Sequence, residues 1–182
     1  EDMKRQYGED SNVYRVRVLG LPPESNDDSL IARHLVDSAV GREVEPMLNK
    51  PIWGLDIAAY GSDRSALAKR QGNVLLEPIK HWRDKDLMET VGIVLTEWEA
   101  TPYMDRPTEI CCDAIGIGAG VSSRLQELGL PARSINVAES PALKGRYPRL
   151  RDELWFRCRE WFEARDCALP DDCEELIHEL TS

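Results

Sequence analysis

The sequence has few of the features that mark several common classes of protein. None of its apolar runs approaches the roughly 18 residues that a membrane-spanning helix needs. Its first residues lack the apolar stretch of a secretory signal and do not begin with methionine, so we expect a piece of a longer chain. It contains only three histidines, His34, His81 and His178, and none stands in a catalytic context. Serine–histidine–aspartate chemistry is therefore not expected.

Paired cysteines and net positive charge are also lacking. The five cysteines are an odd number and no two form a CxxC pair, so the sequence supports neither a zinc site nor a disulfide framework. This usage favours a reducing cytoplasm. The formal net charge of −10 excludes a basic surface over the whole protein of the kind that binds nucleic acid. Any contact with nucleic acid must then come from a local basic patch.

The composition is that of a globular protein, and the chain divides into two unequal parts. The 182 residues are 42% hydrophobic and 31% charged, which suits one domain with an attached segment. In the first part, residues 1–45, alternation predicts a strand over 13–19 and apolar spacing predicts a helix over 29–41. A proline-bracketed linker follows. One strand and one helix cannot bury a core alone, so we expect this part to pack on something else.

The second part, residues 46–182, alternates strands and helices. Its patterns predict strands over 52–60, 64–70, 73–82, 109–115 and 132–138, and helices over 85–99, 120–128, 150–164 and 171–180. We interpret Asp84 as the cap of the first of these helices. The first three strands favour an antiparallel meander, and the later strands, each after a helix, should add in parallel. This order is typical of a ribonuclease H-like α/β fold, a mixed five-stranded sheet with helices on both faces.

Two acidic residues carry the strongest chemical signal. Asp56 and Asp113 each stand alone in an otherwise apolar strand, where a buried carboxylate is costly unless it is paired or bound to a cation. Either one alone is better explained as the cap of a strand end. Both together, in strands that neighbour each other in this fold, predict carboxylates that converge on Mg²⁺ or Mn²⁺. Two such ions can clamp the attacking and leaving oxygens of a phosphodiester.

Three further features each have two interpretations. Asp63, in a Gly-Ser-Asp turn, either satisfies backbone N–H groups or assists a metal or a water. The glycine-rich run 116–120 is better read as a tight strand-to-helix turn than as a phosphate cradle, because it lacks the spacing of known phosphate loops. The run 144–151 is either solvated surface or a loop that contacts phosphates. Its basic residues are Lys144, Arg146, Arg149 and Arg151.

Several motifs together carry a resemblance to a known family. They are Tyr7-Gly8-Glu9-Asp10-Ser11, Tyr14 to Gly20, Ser29-Leu30-Ile31, Gly54-Leu55-Asp56-Ile57-Ala58 with Gly61 and Asp63-Arg64-Ser65, Cys112-Asp113-Ala114-Ile115-Gly116-Ile117-Gly118-Ala119-Gly120-Val121, Tyr147-Pro148, Arg151-Asp152-Glu153-Leu154-Trp155 and Leu169-Pro170-Asp171-Asp172. On these, nearly the whole chain resembles the C-terminal nuclease half of the large subunit of tailed-bacteriophage terminases.

The resemblance implies a motor that packages double-stranded DNA together with a small terminase subunit and a portal, in the host-cell cytoplasm. It implies a ribonuclease H-like endonuclease that cuts concatemeric DNA with two Mg²⁺ or Mn²⁺ ions. Asp56 and Asp113 match two of its catalytic, metal-binding acids, and Asp63 matches an acid near the site. Residues 1–45 would be the end of the ATPase half and the connector. The family's third acid is expected beyond Ser182, so the nuclease domain would be truncated.

Two alternatives belong to other classes. An actin-like ATPase or sugar kinase also has a Gly-Asp motif in its first hairpin, but it expects Gly-Thr or Gly-Ser at the turn and a second copy of the domain. A docking module for the small terminase subunit or the portal would use the acidic tail. Residues 152–182 hold ten acids and three bases.

Overall fold

The protein is described from a computed structural model that covers residues 29–58 and 63–182. The strand predicted over 13–19, the end of the one predicted over 52–60, and Gly61 and Ser62 lie outside these residues. The elements in chain order are α1 (Arg33–Asp37), β1 (Ile52–Asp56), β2 (Ser65–Gln71), β3 (Val74–Leu75), β4 (Lys80–Trp82), α2 (Leu87–Ala100), β5 (Glu109–Asp113), α3 (Gly118–Glu127), β6 (Ala132–Ile135), α4 (Leu150–Glu163) and α5 (Glu174–Thr181). A 3₁₀ turn, Tyr103–Asp105, precedes β5.

The strands form one mixed sheet, as the sequence predicts. Its order is β3-β2-β1-β5-β6, and β4 pairs with β2 beside β3. The pairs that β2 makes are all antiparallel. The pairs that β5 makes with β1 and with β6 are both parallel. The meander followed by parallel additions therefore has the predicted topology.

The number of strands differs from the five predicted. The strand expected over 73–82 forms as two pieces, β3 and β4, so the sheet has six strands in the part of the chain that the structure describes. Both pieces pair with β2, the first with Arg70 and Gln71 and the second with 65–67. Pro78 lies between them and has no N–H to donate to a neighbouring strand. The pairing therefore stops after Leu76, whose N–H still donates to the Lys69 carbonyl at 2.9 Å.

Helices cover both faces of the sheet. On one face α2 and α3 pack on the sheet in a buried cluster that includes Trp53, Leu55, Ile110 and Cys112. On the other face α1, α4 and α5 contribute to a second cluster that lies over the meander end and includes Leu75 and Phe162. Among the described residues, no helix is long and apolar enough to cross a membrane.

The helix predicted over 29–41 is shorter in the structure. Only α1 is regular, and residues after it pair with the chain that follows α4. The Leu169 N–H donates to the Ala39 carbonyl at 2.8 Å, and the Gly41 N–H donates to the Leu169 carbonyl at 3.0 Å. These bonds end the helix because they use backbone groups in another pairing. The described residues of this segment thus pack on the C-terminal helices of the same chain.

Candidate functional site

Asp56 and Asp113 end two neighbouring parallel strands at the same level. The last paired residues of β1 and β5 are Leu55 and Cys112, and each aspartate comes directly after its strand's paired residue. Leu55 and Cys112 are buried against α2 and α3. Because side chains alternate along a strand, both aspartates face the opposite side of the sheet. The structure therefore places the two carboxylates side by side at one edge of that face.

The electrostatics of Asp56 reflect this neighbour. Its pKa is raised above the ordinary value, first by partial shielding from water and second by the negative charge of Asp113. Glu179 raises the pKa further, whereas the Ile57 N–H and the positive charge of Arg151 lower it. The two largest causes thus act against the negative charge of Asp56, and a cation nearby would oppose them.

Asp113 is held by the turn that follows it. One of its carboxylate oxygens accepts from the Ile115 N–H at 3.0 Å. Gly116 then adopts a φ of +66°, and the chain enters α3 at Gly118. A Cβ on Gly118 would lie 1.8 Å from the Asp113 carbonyl oxygen. The glycines thus serve close packing of α3 against the end of β5, in agreement with the tight turn that the sequence favours.

Asp56 lines two depressions on the surface. A shallow one of about 340 Å³ is lined by Gly54, Asp56, Cys111, Asp113 and Val137 among others. A larger groove of about 730 Å³ lies on the side of the meander and of α5, and its lining includes Asp56, Asp63, Arg64, His81, Glu175 and Glu179. Asp63 therefore shares the larger groove with Asp56, while Asp113 lines the shallow depression.

The acids of α5 are site residues that the sequence did not single out. Glu175 forms an ion pair with Arg64, and Glu179 lies 3.6 Å from the same guanidinium. The His81 Nε2 atom is 3.5 Å from the Glu175 carboxylate. The i, i+4 spacing of Glu175 and Glu179 could have shown that they share a helix face, but nothing in the sequence says which strand that face meets.

The predicted basic run lies between β6 and the start of α4. Lys144, Arg146, Arg149 and Arg151 are all exposed to solvent. Of these four, Arg151 is the one whose charge acts on Asp56. The structure therefore brings one end of the basic run near Asp56 and Asp113, which we call the aspartate pair.

The donor set fits a hard divalent cation. Two adjacent carboxylates are the ligands that Mg²⁺ and Mn²⁺ prefer, and Mg²⁺ is commonly held by one or two carboxylates with water and substrate phosphates. Across 29–58 and 63–182, no group of three or more His, Cys, Asp or Glu side chains is close enough to hold a metal ion together. Most of the coordination would then come from water and from a bound phosphate.

Known proteins resemble this chain in fold. No protein-family model and no curated protein matches the sequence. The nuclease domain of the large terminase subunit of bacterial virus Sf6 has a TM-score of 0.64 at 17% identity, over 84% of this chain and 81% of that one. The large terminase nuclease of thermophilic phage G20c, solved with bound zinc, has a TM-score of 0.54 at 15% identity, over 80% of this chain and 84% of that one.

A larger protein also matches. The large terminase of a second thermophilic bacteriophage has a TM-score of 0.61 at 14% identity, and the match covers 100% of this chain and 43% of that chain. The present chain thus spans less than half the length of that terminase. At these identities the comparisons establish the fold, and the chain has the fold of phage terminase nuclease domains. The ribonuclease H-like fold that the sequence predicts is confirmed.

Proposed function

We propose that this chain is the nuclease domain of a viral genome-packaging motor, a metal-dependent endonuclease that cuts concatemeric double-stranded DNA. One observation carries the proposal: Asp56 and Asp113 extend the register of two parallel strands to the same edge of a sheet. The fold shared with nuclease domains of phage large terminases supports it. The actin-like ATPase alternative has no such support among these comparisons.

Asp56 and Asp113 would hold two divalent cations, Mg²⁺ or Mn²⁺. When bound, such ions stabilise the charge that develops on the phosphodiester and activate a water for attack. The two carboxylates fix where the ions sit, and their mutual repulsion favours binding because a cation relieves it. Asp63, which shares the larger groove with Asp56, is proposed as an accessory acid. One of the similar Sf6 structures was solved with manganese.

The substrate contact is proposed for the basic run. Lys144, Arg146, Arg149 and Arg151 are exposed basic residues of a run whose Arg151 end lies near the aspartate pair, and they would bind the DNA backbone. A net charge of −10 repels DNA at long range, so we expect weak binding by the isolated chain, without sequence preference. In the motor, the small terminase subunit and the portal would hold the domain on DNA in the host-cell cytoplasm.

Nicking of supercoiled plasmid DNA in Mn²⁺ tests the proposal. Asp56→Asn and Asp113→Asn keep the shape of each side chain but remove its charge, and both should abolish nicking. Asp105→Asn is a matched control, because Asp105 is exposed in the 3₁₀ turn before β5, at the other edge of the sheet. This variant should nick like the wild type. Unimpaired nicking by folded Asp113→Asn would overturn the two-metal proposal.

A further inference from the structure

Backbone hydrogen bonds join the two ends of the segment between β6 and α4 to each other. The sheet ends at Ile135, the last residue of β6, and two residues further on the Val137 carbonyl accepts from the Arg151 N–H at 3.0 Å. The Leu150 N–H donates to the Glu139 carbonyl at 2.9 Å. Within the segment, the Leu143 N–H donates to the carboxylate of Glu153, a buried residue of α4, at 3.1 Å. The first turn of α4 is therefore held beside the residues that directly follow β6.

This position is the rim of the depression that holds the aspartate pair. Val137, whose carbonyl binds the Arg151 backbone, lines that depression together with Asp56 and Asp113. The Arg151 side chain is exposed, so it extends from the rim into solvent. Its positive charge acts on Asp56. Geometry and charge thus both assign Arg151 to the site.

The other basic residues of the run are engaged elsewhere or lie further along it. The Arg146 guanidinium is 3.7 Å from Glu160 and lies over the Tyr147 ring at 5.4 Å from its centroid. Tyr147 in turn packs on Phe156 of α4, at 5.2 Å between ring centroids. In the part of the chain that the structure describes, no carboxylate forms an ion pair with Arg151. The Arg151 guanidinium is therefore available for an anion from outside the protein.

We propose that Arg151 binds and positions the DNA phosphate at the aspartate pair, whereas Lys144, Arg146 and Arg149 contact the DNA backbone further from it. This inference rests on the proposed nuclease function. Asp56, Asp113 and Glu179 give the site a negative charge that repels a phosphate, and a permanently charged guanidinium offsets this repulsion. The planar fork of arginine also binds two phosphate oxygens at once, which orients the group as well as attracting it.

Steady-state kinetics distinguish a residue that positions the DNA phosphate from one that only attracts it. Arg151→Ala should lower kcat in Mn²⁺ by about ten- to a hundredfold, because a misplaced phosphate reacts slowly even when it is bound. Arg146→Ala should act mainly on KM. Arg151→Lys keeps the positive charge but loses the planar fork of the guanidinium. Compared with Arg151→Ala, it should restore part of the wild-type KM and little of the wild-type kcat. An Arg151→Ala effect confined to KM, and equal to that of Arg146→Ala, would overturn the inference.

Mn²⁺ binding without DNA gives a second readout that does not need cleavage. Removing a positive charge beside two carboxylates should strengthen Mn²⁺ binding severalfold in Arg151→Ala, measured by calorimetry, with no change in Arg146→Ala. Equal Mn²⁺ affinity in both variants would contradict the placement of Arg151. If Asp113→Asn binds Mn²⁺ as well as the wild type, the proposed function fails instead. Thermal melting checks the fold, which should persist because the Arg151 contact to Val137 uses the backbone.

Discussion

Asp56 and Asp113 lie side by side because β1 and β5 pair in parallel with Leu55 opposite Cys112, one residue before each acid. The same alternation that buries Leu55 and Cys112 turns both carboxylates to the opposite face. Two like charges at this position destabilise each other unless a cation lies between them. The arrangement therefore costs stability, and a bound cation would offset this cost.

The first prediction concerns this mutual repulsion. Asp113→Asn removes the negative charge that is the second largest cause of the raised Asp56 pKa, so the pKa of Asp56 should fall toward its ordinary value. Partial shielding from water, the largest cause, remains and keeps some of the rise. Carboxyl NMR titration of both proteins measures the difference. An unchanged Asp56 pKa in Asp113→Asn would show that the two carboxylates do not interact.

The pH dependence of stability follows from the same shift. The native state binds the Asp56 proton more tightly than the unfolded state does, so stability falls as pH rises from the ordinary aspartate pKa of 3.8 through the raised pKa. The cost is fully present once the pH exceeds the raised pKa. Asp56→Asn should therefore raise Tm at neutral pH and change it little in acid. A lower Tm for this variant at neutral pH would contradict this sign.

A second prediction tests the turn that holds Asp113. Gly118→Ala places a Cβ 1.8 Å from the Asp113 carbonyl oxygen and should destabilise the protein by about 1–3 kcal/mol. Gly92→Ala in α2 is the matched control, because nothing lies within 4 Å of the added Cβ. It should stabilise by about 0.5–1 kcal/mol, as alanine does in a helix interior. Urea unfolding compares the two, and equal effects would refute the close approach.

A third prediction concerns the basic run as a whole. Replacing Lys144, Arg146, Arg149 and Arg151 by alanine should reduce the slope of log affinity against log salt by about 0.9 for each lost phosphate contact on duplex DNA. Arg133→Ala is the control, since Arg133 lies 2.9 Å from Glu109 at the far end of β5. Fluorescence anisotropy over a salt series gives both slopes. If the fourfold variant kept the wild-type slope, the run would not contact DNA.

The sequence predicts the order of elements well because hydrophobic periodicity reports which residues are buried. The ends of the elements are predicted less accurately, because local hydrogen bonds determine where an element begins and ends. We expected Asp84 to cap α2, but the cap is Asp86, whose side chain accepts from the Glu89 N–H at 2.7 Å. The Glu89 side chain accepts in return from the Asp86 N–H at 3.0 Å. Asp84 instead takes a φ of +52° in the preceding turn.

The residues of the candidate site could also be predicted only in part. Asp56 and Asp113 are recognisable because a lone acid in an apolar strand is unusual, and the parallel pairing follows from the order of elements. Arg64, Glu175 and Glu179 were missed, since their meeting depends on how α5 packs against the meander. That packing is set by apolar contacts between segments far apart in the chain, such as the cluster that joins Leu75 to Ile177. No local pattern encodes it.

Anomalous scattering from crystals soaked with Mn²⁺ tests most directly whether the two aspartates share a divalent cation. The expected result is an anomalous peak between the carboxylates of Asp56 and Asp113, at about 2.0–2.2 Å from the nearest oxygen of each, and no such peak in Asp113→Asn. A wild-type structure in which Mn²⁺ occupies other acids while both carboxylates remain unliganded would contradict the account.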